Sequence, residues 1–170
     1  MKVAVKDACV LIDLANGGLL EAWFQLGIET HTTDLVARQV RTDRNWQAVS
    51  GFIQAGLLKV ATLTGEQIGR MHDELGALPV GIEDQTALFL AMELNAILLT
   101  GDRRLRLEGL KRKIEVRGVL WILDELVVKQ LLPTRLAAVK LRSMIADGAF
   151  LPRDECEKRL QAWESGGQIG

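Results

Sequence analysis

The sequence predicts a three-layer α/β fold, with a mainly parallel sheet of about five strands covered by helices. Three observations carry that reading. Short apolar segments alternate along the chain with longer segments of helical period. The stretch Ala96–Leu99 is apolar throughout, which suits a strand buried on both faces better than a half-wet one. One local order, strand then acid then helix, occurs twice: at Val3–Asp7 and again at Ala96–Asp102.

The elements follow in order. Val3 to Val5 is a short strand, and Cys9, Val10, Ile12 and Leu14 resume as an apolar helix. Asn16-Gly17-Gly18 breaks it. Leu19 to Leu26 forms a helix ended by Gly27, and Ile28 to Thr32 a second strand. Thr33 or Asp34 caps a helix from Leu35 to Val40. After a polar turn, Trp46 to Ala55 is an amphipathic helix stopped at Gly56. Leu57 to Leu63 reads as the third strand, and Thr64 to Gly76 as a helix. The loop Leu78–Gly81 delivers the chain to a helix from Asp84 to Asn95, where Ala87, Leu88 and Ala91 share one side. Ala96 to Leu99 is the fourth strand, Arg103 to Lys113 a basic helix, and Ile114 to Val116 a short fifth strand. Helices are expected over Gly118–Lys129, over Thr134–Ala146 and from Arg153 or Asp154 to Trp163. The whole is read as one domain over 1–164, with its core at about 1–125, C-terminal helices at about 118–164 and a loose tail at 165–170.

Composition narrows the class. At 170 residues, with 48% hydrophobic and 25% charged residues, the chain has ordinary globular make-up and the length for a sizeable core. A net charge of −1 gives no global attraction to nucleic acid, so any such partner needs a local basic patch. No apolar run approaches the roughly 18 residues of a membrane span. Early charges at Lys2, Lys6 and Asp7 exclude a signal peptide. Cys9 and Cys156 are far apart without metal-site spacing, which reads as reduced thiols in a cytoplasmic protein.

The chemistry concentrates between Gly81 and Arg106, GIEDQTALFLAMELNAILLTGDRRLR. In open α/β sheets, sites lie just beyond the carboxyl ends of the strands. Asp102 and Asp7 both follow strands directly, and Asp84 starts the helix before the fourth strand. Singly, each has a plain structural reading: Asp84 favours a helix N-terminus and Asp102 caps the next helix. Together they suggest one crevice. Carboxylates about 4 Å apart repel by roughly 4 kcal/mol per pair at an effective dielectric near 20. Such a cluster calls for a cation, and all-oxygen ligands suit Mg²⁺ or Mn²⁺. Thr100 fits a supporting role, its hydroxyl bonding a carboxylate ligand, or it simply ends the strand.

The order Asp7, Asp84 in EDQTALFLA and Asp102 in ILLTGDRRLR resembles the PIN-domain family of metal-dependent nucleases over about residues 1–125. The later helices are similar to those of an extended prokaryotic subgroup. The resemblance implies Asp7, Asp84 and Asp102 as catalytic and metal-holding residues, Mg²⁺ or Mn²⁺ as cofactor, and hydrolysis of RNA. It also implies a possible antitoxin partner, since many prokaryotic members are ribonuclease toxins, and a homodimer paired through helices. Two departures stand out. Ala8 and Cys9 occupy places where the family usually has a small hydroxyl or amide residue. The usual Glu on the helix after the second strand falls on Arg38 or Gln39, and Asp34 lies one turn too early.

The competing reading is a PIN-like RNA-binding or regulatory protein with a weakened metal site. A receiver domain is disfavoured, because the paired acids and late lysine of that family are missing. An aspartyl phosphatase is disfavoured because Asp7-Ala8-Cys9 lacks the second acid. Arg103, Arg104 and Arg106 follow the site and, with Arg38, are candidates for phosphate contact. His31 and His72 are isolated, Asp13 is two turns from Asp7, and Trp46, Trp121 and Trp163 read as packing residues.

Overall fold

The computed structural model describes residues 2–167 and 169. Five parallel strands form one sheet in the order β3-β2-β1-β4-β5. These are β1 (Val3–Lys6), β2 (Glu29–Thr33), β3 (Leu58–Ala61), β4 (Ile97–Leu99) and β5 (Val116–Arg117). β1 is central, with Val5 in register with His31 of β2 and Leu98 of β4. Ala4, Val5, Leu98 and Leu99 are fully buried. An uninterrupted apolar strand is stable only under helices on both faces. The three-layer α/β arrangement expected from the alternation is therefore the one formed.

Ten helices flank the sheet among the described residues. They are α1 (Ala8–Asn16), α2 (Leu20–Gln25), α3 (Asp34–Val40), α4 (Trp46–Gln54), α5 (Gly65–Leu75), α6 (Ile82–Leu94), α7 (Arg103–Lys111), α8 (Val119–Val128), α9 (Thr134–Ala146) and α10 (Arg153–Glu164). None is long and apolar enough to cross a membrane. α6 is the inner helix. It packs on β1, β2 and β4 and also against α3, α5 and α7. Every residue from Gln85 to Ala91 is consequently buried, where the sequence pattern had marked only one side. The C-terminal helices join the same core through Leu141, Leu160 and Trp163. Arg159 of α10 locks onto Asp124 of α8 through two bonds of 2.9 and 2.6 Å.

β3 is shorter than expected, Leu58–Ala61 rather than 57–63, and one further strand and one side chain differ from expectation. β5 is Val116–Arg117 rather than 114–116, because Lys113 takes a left-handed turn (φ 59°) and pairing with β4 begins at Val116. Gly109 lets α7 press onto this edge, since a Cβ there would come within 2.7 Å of a Val116 methyl. Lys6 is the larger surprise. Noted in the sequence only as an early charge, it is fully buried, with its Nζ 3.4 Å from the Trp23 ring centroid and without a hydrogen-bond partner among the described residues. Of the expected tail, Ser165 and Gly166 turn back on α10, while Gln168 and Gly170 lie outside the described residues.

Strand order decides where a site forms. The chain runs outward from β1 through β2 to β3, then returns past β1 to β4 and β5. The reversal opens a crevice between the carboxyl ends of β1 and β4, the place where α/β sheets bind ligands. Asp7 follows β1 and Asp102 follows β4.

Candidate active site

Asp7 continues the sheet for one more bond, its N–H donating to the Leu99 carbonyl at 3.1 Å. Its side chain then caps α1, with Oδ1 accepting from the Val10 N–H at 2.9 Å. Oδ2 accepts from the Thr100 hydroxyl in a short bond. The same hydroxyl oxygen accepts from the Asp102 N–H at 3.0 Å. Thr100 thus ties the end of β4 to the acid at the end of β1, and both its hydrogen-bonding roles are used. Asp102 caps α7 through Oδ1 and the Leu105 N–H at 2.9 Å. Each of these two acids therefore does the structural work of a cap as well as facing the crevice.

Asp84 enters from α6, whose first turn stands beside the crevice. Asp84 and Asp102 line one open cleft of about 420 Å³, walled by Leu78–Gly81 and Arg104. Arg104 donates to the Pro79 carbonyl at 3.2 Å, spanning from α7 to that wall.

The acids feel one another. Burial pushes the Asp7 carboxyl up to about 7, against the pull of its bonds from Thr100 and the Val10 N–H, and the charges of Asp84 and Asp102 add to the rise. Asp84 is raised by burial, then by Asp102 and Glu83. Burial, helped by the charges of Asp7, Asp13, Asp84 and Asp102, pushes the exposed Cys9 thiol up to about 11. The Lys6 amine next in sequence offers no remedy, because burial holds it well below its ordinary range. Sequence reading passed over Glu83, although its place beside Asp84 was the available signal, and over Lys6, for which there was none.

The basic residues divide. Lys111 and Arg112 are tied to Glu108 at 2.9 and 2.7 Å. Arg103 and Arg104 stay exposed at the start of α7, next to Asp102. Arg106 lies across Gly118, where a Cβ would stand 3.0 Å from its guanidinium. On α3, Arg38 and Gln39 are both exposed. Arg38 and Asp34 line a separate groove between α3 and α4, not the acid cleft.

A family model described as a PIN domain, DUF3368, matches residues 3–165. The chain belongs to the PIN-domain family. Members are generally nucleases and typically use divalent metal ions. A crystal structure of PAE2754 from Pyrobaculum aerophilum shares the fold, with a TM-score of 0.52 at 20% identity. The likeness covers 75% of this chain and 98% of that one. No curated protein sequence matches.

Does this PIN domain suit a divalent ion? The donor set does: burial, with a smaller push from neighbouring acids, raises Asp7 and Asp84, so these carboxylates are short of positive charge, and hard oxygen donors suit Mg²⁺ or Mn²⁺. Closeness is the weaker point. Among the described residues, no three His, Cys, Asp or Glu side chains are grouped tightly enough to hold an ion together. In this PIN domain Asp84 and Asp102 line the cleft, while Asp7 is buried outside its lining and feels their charges; among the described residues the three do not form a closed ligand cage.

Proposed function

We propose that this PIN domain is a metal-dependent endoribonuclease, hydrolysing RNA phosphodiester bonds at the cleft between β1 and β4. The observation that carries the reading is the placement of Asp7 and Asp102 at the carboxyl ends of β1 and β4, where strand order reverses, with Asp84 lining the same cleft as Asp102. Asp7, Asp84 and Asp102 would hold Mg²⁺ or Mn²⁺, which supplies Lewis acidity toward the scissile phosphate. Thr100 orients Asp7 and fixes the backbone of Asp102. Arg104 offers its guanidinium at the cleft wall for a phosphate oxygen, with Arg103 and Arg106 further along the strand. Asp84, from the first turn of α6, lines the same open cleft as Asp102.

A toxin role with an antitoxin partner extends the same reading, as does a homodimer. Val128 on α8 and Leu136 and Val139 on α9 are 54%, 42% and 60% exposed, an apolar surface suited to pairing. A second reading has its own support. With Arg38 and Gln39 exposed and outside the cleft, the acid usual in the family has no substitute there, which favours an RNA-binding protein with a weakened site.

The test is a time course on labelled single-stranded RNA with Mn²⁺ or Mg²⁺. Slow cleavage, favoured by Mn²⁺ and lost with EDTA and in Asp102→Asn, is expected. Cleavage surviving both controls is contamination. No cleavage of any of several RNAs would leave the binding reading.

A further inference from the structure

The groove between α3 and α4 is separate from the acid cleft and holds about 360 Å³. Its floor is apolar, built from Ala37, Ile53 and Val60. Arg38, Arg41 and the Trp46 indole stand around it, with Ser50 and Gln54 as hydrogen-bonding groups. Arg38 and Arg41 are exposed and Trp46 is half-buried. The Arg41 guanidinium lies 5.3 Å from the Trp46 ring centroid, so a cation and a flat aromatic face stand side by side. Asp34 also borders the groove, but one of its oxygens accepts from the Leu35 N–H at 2.9 Å, and the two arginines leave the rim net positive.

That set of groups matches one chemistry. A nucleotide presents a flat apolar base with polar edges beside an anionic phosphate. Unstacked bases in single strands are bound by aromatic rings and guanidinium planes, and read at their edges by amides and hydroxyls. The groove has each of those groups and no other obvious use for them. Trp46 reads as a packing residue in the sequence, but it leaves part of its ring at this rim.

The helix that carries the groove's arginines also touches α6. Thr33 caps α3 through the Val36 N–H at 3.2 Å, and its hydroxyl is 2.7 Å from that of Thr86, two residues beyond Asp84. α3 therefore starts against the N-terminal half of α6 and carries Asp34, Arg38 and Arg41 away from that contact. The helical rise separates Asp34 from Arg41 by roughly 10 Å. Along α3 from that contact, Arg38 comes first and the Arg41–Trp46 pair next.

We propose that the α3/α4 groove is a nucleobase subsite, which holds one unstacked base of single-stranded RNA against Trp46 while Arg38 and Arg41 hold the flanking phosphates. The proposal rests on the nuclease reading for its substrate class and adds to it a contact with the strand outside the acid cleft. It also gives Arg38 a task at the position where the family usually has an acid.

The experiment measures binding, not cleavage. The full chain carrying Asp102→Asn is titrated with a labelled single-stranded RNA of about ten nucleotides. The same RNA is then used with an abasic unit walked through each position. One abasic position should weaken binding about tenfold, in the range seen for loss of one aromatic stack. In Trp46→Ala that position should become neutral, while Trp46→Phe retains the effect. Arg38→Glu and Arg41→Glu, both exposed substitutions, should each weaken binding severalfold and flatten its salt dependence, with Arg41→Lys keeping the charge beside Trp46 and most of the affinity. Binding that tolerates an abasic unit at every position, or is unchanged in both arginine variants, overturns the proposal. So does a Trp46-dependent complex with an acidic, apolar peptide when RNA binding ignores Trp46. The parent reading fails separately. Wild-type cleavage with binding indifferent to Trp46 keeps the nuclease and discards the subsite. Trp46-dependent binding without cleavage keeps the subsite and discards the nuclease.

Discussion

Replacing Asp7 with Asn should stabilise the metal-free protein at pH 8 and destabilise it at pH 4. The native pKa of about 7 lies above the ordinary 3.8, so between those values the folded chain binds more protons than the unfolded one. Stability therefore falls as pH rises through that window. At 1.36 kcal/mol per unit, the ionised carboxylate costs the fold about 4 kcal/mol at pH 8 and about 2 kcal/mol at pH 5, and almost nothing below pH 4. Asn removes the charge and keeps an oxygen for the Val10 N–H. Its amide cannot accept from the Thr100 hydroxyl, and a buried orphaned hydroxyl costs about 1–3 kcal/mol. The balance is a gain of about 1–3 kcal/mol at pH 8, or roughly 2–10 °C in Tm for a chain of this size, and a loss of similar size at pH 4. The assay is thermal unfolding in EDTA from pH 4 to 8. An Asn variant that loses the same Tm at both ends would refute the reasoning, since the charge would then carry no cost. A second arm adds Mn²⁺ at pH 8. Wild type should gain Tm by linkage, and the variant should gain much less.

Thr100→Val keeps the shape of the buried side chain but strips the Asp7 and Asp102 N–H contacts, so it should lower stability by about 1–3 kcal/mol and cleavage by more than tenfold. Activity equal to wild type would show that Thr100 merely ends the strand. Lys6→Met should raise Tm, most at pH 6 and least near pH 10, because a native amine pKa held below the unfolded value costs stability that returns as pH rises. A pH-independent fall in Tm would mean that the contact with Trp23 outweighs the desolvation. Light scattering at micromolar concentration should report a dimer through α8 and α9, and Val139→Glu should break it; a monomer mass for wild type counts against the pairing.

Much of this architecture was readable because its causes are local. A short apolar run such as Ile97–Leu99 has few stable uses outside a covered parallel sheet. An acid that follows a strand and starts a helix is placed by the chain's own geometry. That is why Asp7 and Asp102 could be pointed to one end of the sheet before any contact was known. Asp84 was legible for the same reason, from the first turn of the helix preceding β4.

The remainder depends on what meets what across the fold. Nothing local in the sequence marks Lys6 for burial; only the packing of α2, which lays Trp23 over it, makes it a buried amine. The start of β5 was shifted because pairing with β4, not local propensity, sets where a two-residue strand begins. The all-round burial of α6 follows from neighbours on several sides, which no hydrophobic period records. Arg38 could be numbered on its helix, but whether it faced the acids or a neighbouring groove was decided by how α3 leans on α6 and α4. The sequence by itself determined the strands, the helices and the acids at their junctions, because those follow from short-range sterics and apolar pattern. Only the tertiary structure decided the strand order that brings β1 beside β4, and with it the field that couples Asp7 to Asp84 and Asp102, because electrostatic coupling acts through space between residues distant in the chain.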